Sequence, residues 1–153
     1  MTKKIVITGG LGYIGTELCK LYSGVSWHHK IFVIDNRFVS ERVNQIRNWN
    51  MEFIHGDILN KDIVNNVCKD ADIIHHLAGI TDVPRTKSES TIDRDEKIKL
   101  VGEKGTQNIL DSINNKCKII FPSTHVIYEG IDKVEKEIKE DEPGKPVLSY
   151  STA

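Results

Sequence analysis

The sequence has little of what marks membrane, secreted or nucleic-acid-binding proteins. No apolar run approaches the ~20 residues of a transmembrane helix, and a net charge of −1 argues against nucleic acid or an anionic membrane surface as partner. Residues 1–4 lead directly into an apolar run, so we expect no signal peptide. Cys19, Cys68 and Cys117 are far apart and odd in number. They therefore favour free thiols in a reducing cytoplasm over disulfides or a zinc site.

A glycine-rich stretch near the start organises the rest of the chain. At 153 residues we expect one domain, residues 1–153, with a substantial core. The apolar, β-branched residues 5–7 predict a buried strand. Gly9, Gly12 and Gly15 follow, and then a helical pattern begins.

Strand, glycine turn and helix in this order are typical of a dinucleotide phosphate site. The first glycine allows a tight turn, the second a close approach of the pyrophosphate, and the third close packing of helix on strand. The helix N-terminus adds free N–H groups for the phosphates. The spacing is G-x-x-G-x-x-G rather than G-x-G-x-x-G, and a plain tight turn without ligand is the alternative.

Strands and helices alternate along the whole chain. The other predicted strands are residues 31–34, 51–54, 71–79 with a closing turn, and 116–121. A long helix is predicted over residues 87–114, weakened in its middle by Gly102 and Gly105. This alternation predicts an α/β doubly wound parallel sheet, the Rossmann fold, with strand order 3-2-1-4-5. Ligands bind such sheets outside the carboxyl ends of the strands. The residues expected there are Gly9, Asp35, Asp57, Leu77, Ala78, Gly79, Ser123 and Thr124.

Asp35 is the candidate for holding the adenosine ribose. It follows the second strand, 20 residues after Gly15, where this architecture places an acid that accepts hydrogen bonds from the ribose hydroxyls. A carboxylate there repels a 2′-phosphate and favours NAD over NADP, although Arg37 could accommodate the phosphate. The alternative is that Asp35 and Asn36 are turn residues that end a strand.

Several spaced motifs then agree. They are Thr8-Gly9-Gly10-Leu11-Gly12-Tyr13-Ile14-Gly15, Asp35-Asn36, Gly56-Asp57-Ile58, His76-Leu77-Ala78-Gly79, Pro122-Ser123-Thr124-His125-Val126-Ile127-Tyr128, and Tyr150. In this order the chain resembles the extended short-chain dehydrogenase/reductases, the NAD-dependent nucleotide-sugar epimerase/dehydratase family. The resemblance covers the whole chain but only the N-terminal half of a family member, so we expect a truncated NAD-binding domain.

The resemblance implies an NAD site. The residues that would hold the pyrophosphate are Gly9, Gly12, Tyr13, Ile14 and Gly15, and those for the adenosine are Asp35, Asn36, Asp57 and Ile58. The residues that would line the cofactor beyond the fourth strand are Leu77, Ala78, Gly79 and Thr81. Asp57 would accept a bond from the exocyclic amine of adenine, with a turn or capping role as the alternative.

The resemblance also implies catalysis by Thr124 and Tyr150. The tyrosine would remove a proton from a sugar hydroxyl while a hydride moves from the same carbon to NAD, and the threonine would hydrogen-bond the substrate oxygen. Without the resemblance, Thr124 is a hydroxyl at a strand end and Tyr150 is a surface aromatic.

Two departures from the family pattern lower the expected activity. The family's lysine four residues after the tyrosine would be residue 154, and the sequence ends at Ala153. We therefore expect a truncated product, inactive or nearly so. Gly102 stands where the family usually has an asparagine near the cofactor.

Other functions remain open. A nucleotide sugar would be the substrate of the full-length parent. A non-catalytic dinucleotide-binding or redox-sensing module is one alternative. A fragment that only self-associates, for example as a homodimer through a bare fifth-strand edge, is another. We expect no metal, because His75 and His76 are adjacent on a strand and point to opposite faces.

Overall fold

Five parallel strands form the centre of the protein. The computed structural model describes residues 1–81, 91–131 and 137–153. The strands are β1 Lys4–Thr8, β2 Lys30–Asp35, β3 Glu52–His55, β4 Ile73–His76 and β5 Lys118–Ile120. They form one sheet of order β3-β2-β1-β4-β5 with every pairing parallel. The predicted fold class and strand order are confirmed.

Helices connect the strands on both faces of the sheet. They are α1 Tyr13–Ser23, α2 Ser40–Asn48, α3 Lys61–Cys68, α4 Ile92–Lys99, α5 Thr106–Ser112 and α6 Ser149–Thr152. A π-helical segment, Leu100–Gly105, joins α4 to α5, and a 3-10 helix spans His125–Tyr128. None of the helices in the three described ranges is long and apolar enough to cross a bilayer.

The long helix predicted over residues 87–114 is not a uniform α-helix. Its described part passes from α4 through the π-helical segment into α5 and ends at Ser112, and residues 87–90 lie outside the described residues. Gly105 ends the π-helical segment, and a Cβ there would lie 2.4 Å from Cδ1 of Ile58. The glycine therefore allows the helix to approach the turn after β3 closely.

The fifth strand is shorter than the 116–121 that its apolar pattern predicts. The N–H of Cys117 donates to the carbonyl of Asn114 at 3.2 Å, so the chain is still in a turn at this residue. Pairing with β4 begins at Lys118 and ends at Ile120. The strand prediction was too long at both ends, because apolar residues flank a three-residue ladder.

The alternation of side chains along β1 builds a core on each face of the sheet. Ile5 and Ile7 pack on one face with Leu11, Cys19, Val43 and Ile46 of the first two helical connections. Val6 packs on the other face in a cluster with Val64, Val67, Ile74 and Ile109. These side chains are almost fully buried, and each contributes about 1.5–3 kcal/mol of transfer free energy. The two cores hold the strand ends in a common register.

The three cysteines are free thiols in or beside these cores. Burial raises the pKa of Cys19 and of Cys68 to about 12. Burial likewise raises the pKa of the half-buried Cys117. All three are therefore protonated at neutral pH and act as small apolar side chains.

Candidate functional site

The turn after β1 has a backbone shape that requires glycine. Gly9 has a φ of +69° and donates its N–H to the carbonyl of Ile34 at 2.8 Å. A Cβ on Gly9 would lie 2.7 Å from the backbone nitrogen of Ala78. The N–H of Gly12 then donates to the carbonyl of Gly9 at 3.0 Å. The turn is thus wedged between the ends of β2 and β4.

Helix α1 begins at this turn with its N-terminus open. A Cβ on Gly15 would lie 2.4 Å from the carbonyl oxygen of Gly9, so only glycine fits here without a shift. In the stretch that the structure describes around the turn, the N–H groups of Tyr13, Ile14 and Gly15 have no acceptor. Tyr13 is 88% and Ile14 61% exposed. Free N–H groups at a helix start favour an anionic group such as a phosphate.

Asp35 joins the glycine turn to the end of β2. Its Oδ2 accepts the N–H of Leu11 at 2.9 Å, and its Oδ1 accepts the backbone N–H of Arg37 at 2.9 Å. The guanidinium Nε of Arg37 also donates to Oδ1, at 3.3 Å. Arg42 donates to the carbonyl of Leu11. The carboxylate of Asp35, only 5% exposed, therefore has the turn role, and these three bonds leave one lone pair, on Oδ2.

Asn36 and Asp57 connect the ends of β2 and β3. The Nδ2 of Asn36 donates to Oδ2 of Asp57 at 3.0 Å, and Oδ1 of Asp57 accepts the N–H of Leu59 at 2.9 Å. The second bond is an Asx-turn, the capping role considered for Asp57. His55 also contacts the carbonyl of Asn36, at 3.0 Å. Together with the bonds of Gly9 and Asp35 described above, these contacts join the carboxyl ends of β1, β2 and β3 into one hydrogen-bonded rim.

The end of β4 is held by a buried network that the sequence reasoning missed. The Thr8 hydroxyl lies 2.8 Å from Nδ1 of His76 and accepts the N–H of Ala78 at 3.2 Å. Nε2 of His76 lies 3.0 Å from the Thr106 hydroxyl. Leu77 donates its N–H to the carbonyl of Thr8 at 3.1 Å. The network fastens the Leu77–Ala78 backbone beside the glycine turn.

His76 is neutral in this network. It is 2% exposed, and burial lowers its pKa to about 4. Its neighbour His75 points to the opposite face, where Nε2 lies 2.8 Å from the Tyr22 hydroxyl. Burial lowers the pKa of His75 and raises that of Tyr22. The two histidines thus serve different layers of the fold.

Gly79 and Thr81 lie beyond this network on the open side. Gly79 is exposed, and a Cβ on it would meet no atom of the described residues within 4 Å. Thr81 is exposed and is the last described residue before position 91. Among the described residues, therefore, nothing packs against the backbone at Gly79.

Thr124 and Tyr150 lie on two segments that pack together. Thr124 is half-buried, and its hydroxyl accepts the N–H of Val126 at 3.3 Å and caps the 3-10 helix. Helix α6, which carries the half-buried Tyr150, packs against this 3-10 helix. Glu129 accepts the N–H groups of Val147 at 2.9 Å and of Leu148 at 2.7 Å. The carboxylate of Glu129 thereby fixes the start of α6.

Gly102, in the π-helical segment, lies against the residue that follows α6. A Cβ on Gly102 would lie 3.0 Å from the Cβ of Ala153. Helix α4 also packs against α6. The glycine that stands in place of the family's usual asparagine is therefore a packing residue here.

A parallel sheet of this order, with a glycine turn and acids at its carboxyl edge, belongs to the Rossmann class of dinucleotide-binding domains. A sequence model of the 3-beta hydroxysteroid dehydrogenase/isomerase family matches residues 6–146. The chain belongs to this family of short-chain dehydrogenase/reductases, which confirms the resemblance read from the motifs.

Curated relatives are enzymes of nucleotide sugars. The UDP-N-acetyl-alpha-D-glucosaminuronate decarboxylase of Bacillus cytotoxicus is 32% identical over 130 residues, which covers 84% of this chain and 38% of the relative. The CDP-paratose 2-epimerase of Salmonella typhi is 33% identical over 140 residues, which covers 85% of this chain and 39% of that relative. The chain therefore spans about two fifths of the length of these relatives.

Solved structures share the fold over nearly the whole chain. A UDP-N-acetylglucosamine 4-epimerase from Methanobrevibacter ruminantium matches with a TM-score of 0.76 and 26% identity, covering 99% of this chain and 46% of that one. A dTDP-glucose 4,6-dehydratase from Bacillus anthracis, solved in complex with NAD, has a TM-score of 0.73 and 22% identity. The match covers 99% of this chain and 46% of that one. The second likeness concerns the fold alone.

Proposed function

We propose that this chain forms the NAD-binding part of an enzyme that acts on a nucleotide sugar by reversible hydride transfer. The observation that carries the proposal is the joined rim of strand ends around Gly9. Gly9 donates there to the carbonyl of Ile34, and Asp35 accepts the N–H of Leu11. Asp57 accepts the amide of Asn36, and the free N–H groups at the start of α1 follow the same glycine turn. The relatives named above act on nucleotide sugars, which supports the substrate class.

The residues present fit a dinucleotide. The unpaired N–H groups at the start of α1 suit a pyrophosphate. At Gly12 a Cβ would already lie 3.1 Å from the carbonyl oxygen of Gly9, so the turn that would hold the pyrophosphate has no room for a side chain there. Asp35 would accept a ribose hydroxyl through the lone pair that is left on Oδ2. Asp57 would accept the amine of adenine through the lone pairs left by its two internal bonds. Bound NAD would supply the hydride acceptor.

Thr124 and Tyr150 are the proposed catalytic residues. Tyr150 would take the proton of a sugar hydroxyl while a hydride passes from the carbon that carries this hydroxyl to bound NAD. The Thr124 hydroxyl accepts the N–H of Val126 and keeps its own proton, which it would donate to the substrate oxygen. The packing of α6 on the 3-10 helix supports a joint role for the two residues.

The proposed cofactor is NAD rather than NADP. The negative charge of Asp35 would repel a 2′-phosphate, and Arg37 is turned onto Asp35 at 3.3 Å. An arginine that faces the acid is less available to a phosphate.

Calorimetric titration with NAD tests the cofactor assignment. Gly12→Val should weaken binding at least about tenfold, because the added side chain would fill the approach to the pyrophosphate. Gly24→Ala is the matched control at the other end of α1, where a Cβ meets only the carbonyl of Leu21 at 4.0 Å. No binding of NAD by the unaltered protein at millimolar concentration would overturn the proposal.

Self-association through the β5 side is a second proposal. Ile120 is 39% and Phe121 59% exposed at this edge, and such apolar side chains beside an unpaired strand edge favour pairing with another copy. Analytical ultracentrifugation should detect a dimer that Ile120→Lys weakens. A monomer at high micromolar concentration would overturn the proposal of self-association.

The free thiols also support a reducing compartment such as the cytoplasm.

A further inference from the structure

A fully buried amide side chain on α5 binds the backbone of the turn that follows β3. Asn108 of α5 has no exposed surface. Its Nδ2 donates to the carbonyl of Ile58 at 2.9 Å and to the carbonyl of Leu59 at 3.2 Å. Both carbonyls are some fifty positions away in sequence. One side chain therefore fixes the orientation of two successive peptide groups.

The orientation of this amide is set by chemistry. The reverse orientation would direct an oxygen at two carbonyl oxygens, which repel it. In the observed orientation, Oδ1 is buried and has no hydrogen-bond partner among the described residues. A buried oxygen without a partner is unfavourable. Asn108 therefore stabilises the turn through its two N–H donors and not through its oxygen.

The side chain of Asp57 also binds the backbone of this turn. Oδ1 of Asp57 accepts the N–H of Leu59 at 2.9 Å, and Oδ2 accepts the amide of Asn36 at 3.0 Å. The side chain of Ile58 packs on Gly105, where a Cβ would lie 2.4 Å from its Cδ1. The carboxylate and the peptides that position it are thus clamped between α5 and the rim.

We infer that Asn108 is a positioning residue that sets the selectivity of the site for adenine. The inference rests on the proposed function. Asp57 accepts a bond from the 6-amino group of adenine but would face the 6-oxo group of hypoxanthine, oxygen against oxygen. Discrimination of this kind needs a carboxylate held in place, because a mobile one swings away from the wrong base. The two bonds from Asn108 supply that rigidity.

The experiment compares NAD with nicotinamide hypoxanthine dinucleotide by calorimetry on the full chain. The unaltered protein should prefer NAD about tenfold or more. Asn108→Leu keeps the branched shape and the number of side-chain heavy atoms, removes both donors and also removes the unpartnered oxygen. It should reduce the preference to about threefold or less, mainly by weakening NAD binding. Asn108→Ser, which keeps one donor, should fall between the two.

The control separates loss of positioning from loss of stability. Ile109→Val, one residue further along α5, removes a methyl group from the buried cluster that also contains Ile58 but leaves both Asn108 donors in place, and should leave the preference unchanged. Asp57→Asn should lower the preference directly, because its amide can donate to the 6-oxo group. An unchanged preference in a folded Asn108→Leu or Asn108→Ser protein would overturn the inference. Failure of the unaltered protein to bind either dinucleotide would instead overturn the proposed function.

Discussion

The glycine turn allows a prediction whose magnitude follows from the structure. In Gly9→Ala, an alanine must adopt a φ of +69°, which costs roughly 1–2 kcal/mol. Its Cβ would also lie 2.7 Å from the nitrogen and 2.8 Å from the Cα of Ala78. Backbone must shift to relieve that contact, at roughly 1–3 kcal/mol more. We expect the free energy of unfolding to fall by about 2–5 kcal/mol and Tm by about 5–15 °C.

Gly79→Ala is the matched control, because the added Cβ would lie more than 4 Å from every atom in the part of the chain that the structure describes. Its stability in urea unfolding should stay within about 1 kcal/mol of the unaltered protein. Its affinity for NAD should nevertheless fall several-fold, since the proposed site has cofactor against this backbone. A Gly9→Ala protein as stable as the parent would refute the contact argument. Unchanged NAD affinity in Gly79→Ala would remove Gly79 from the site.

Three further perturbations test other parts of the structure. Lowering the pH from 7.5 to 5 should reduce the free energy of urea unfolding by about 2 kcal/mol through His76, because its folded pKa of about 4 lies below the unfolded 6.5 and the unfolded chain takes up the proton first; His76→Gln should lose that part of the dependence. Asn60→Ala removes the side-chain cap of α3, whose oxygen accepts two N–H groups at 3.1 and 3.2 Å, and should lower stability by about 1 kcal/mol without changing NAD affinity. Asp35→Asn releases Arg37, so the ratio of NADP to NAD affinity measured by calorimetry should rise about tenfold, and an unchanged ratio would argue against Asp35 as the selecting charge.

Local rules account for what the sequence predicted well. The run before Gly9 is apolar and β-branched, and a buried strand has to be so, which located β1. The glycines at 9 and 15 stand where the backbone needs a positive φ or a close approach. Alternation of strands and helices, with the rules for parallel connections, was enough for the order of the sheet.

The same rules could not locate the ends of weak elements. The π-helical segment ends at Gly105, where the chain approaches Ile58 across the fold, and β5 starts late because the Asn114–Cys117 turn continues into the apolar run. Neither contact leaves a trace in local periodicity. Composition alone made residues 116–121 a longer strand than its pairing with β4 allows.

The sequence by itself determined the sheet, its order and the residues that emerge at its carboxyl edge, because these follow from side-chain periodicity and backbone restrictions over a few residues. Only the tertiary structure decided how those residues are held. Asp35 is fastened to Leu11, His76 to Thr8 and Thr106, and Asn108 to the turn after β3. Each of these bonds joins residues more than twenty positions apart, and partners at that distance are chosen by packing of the whole sheet and its helices.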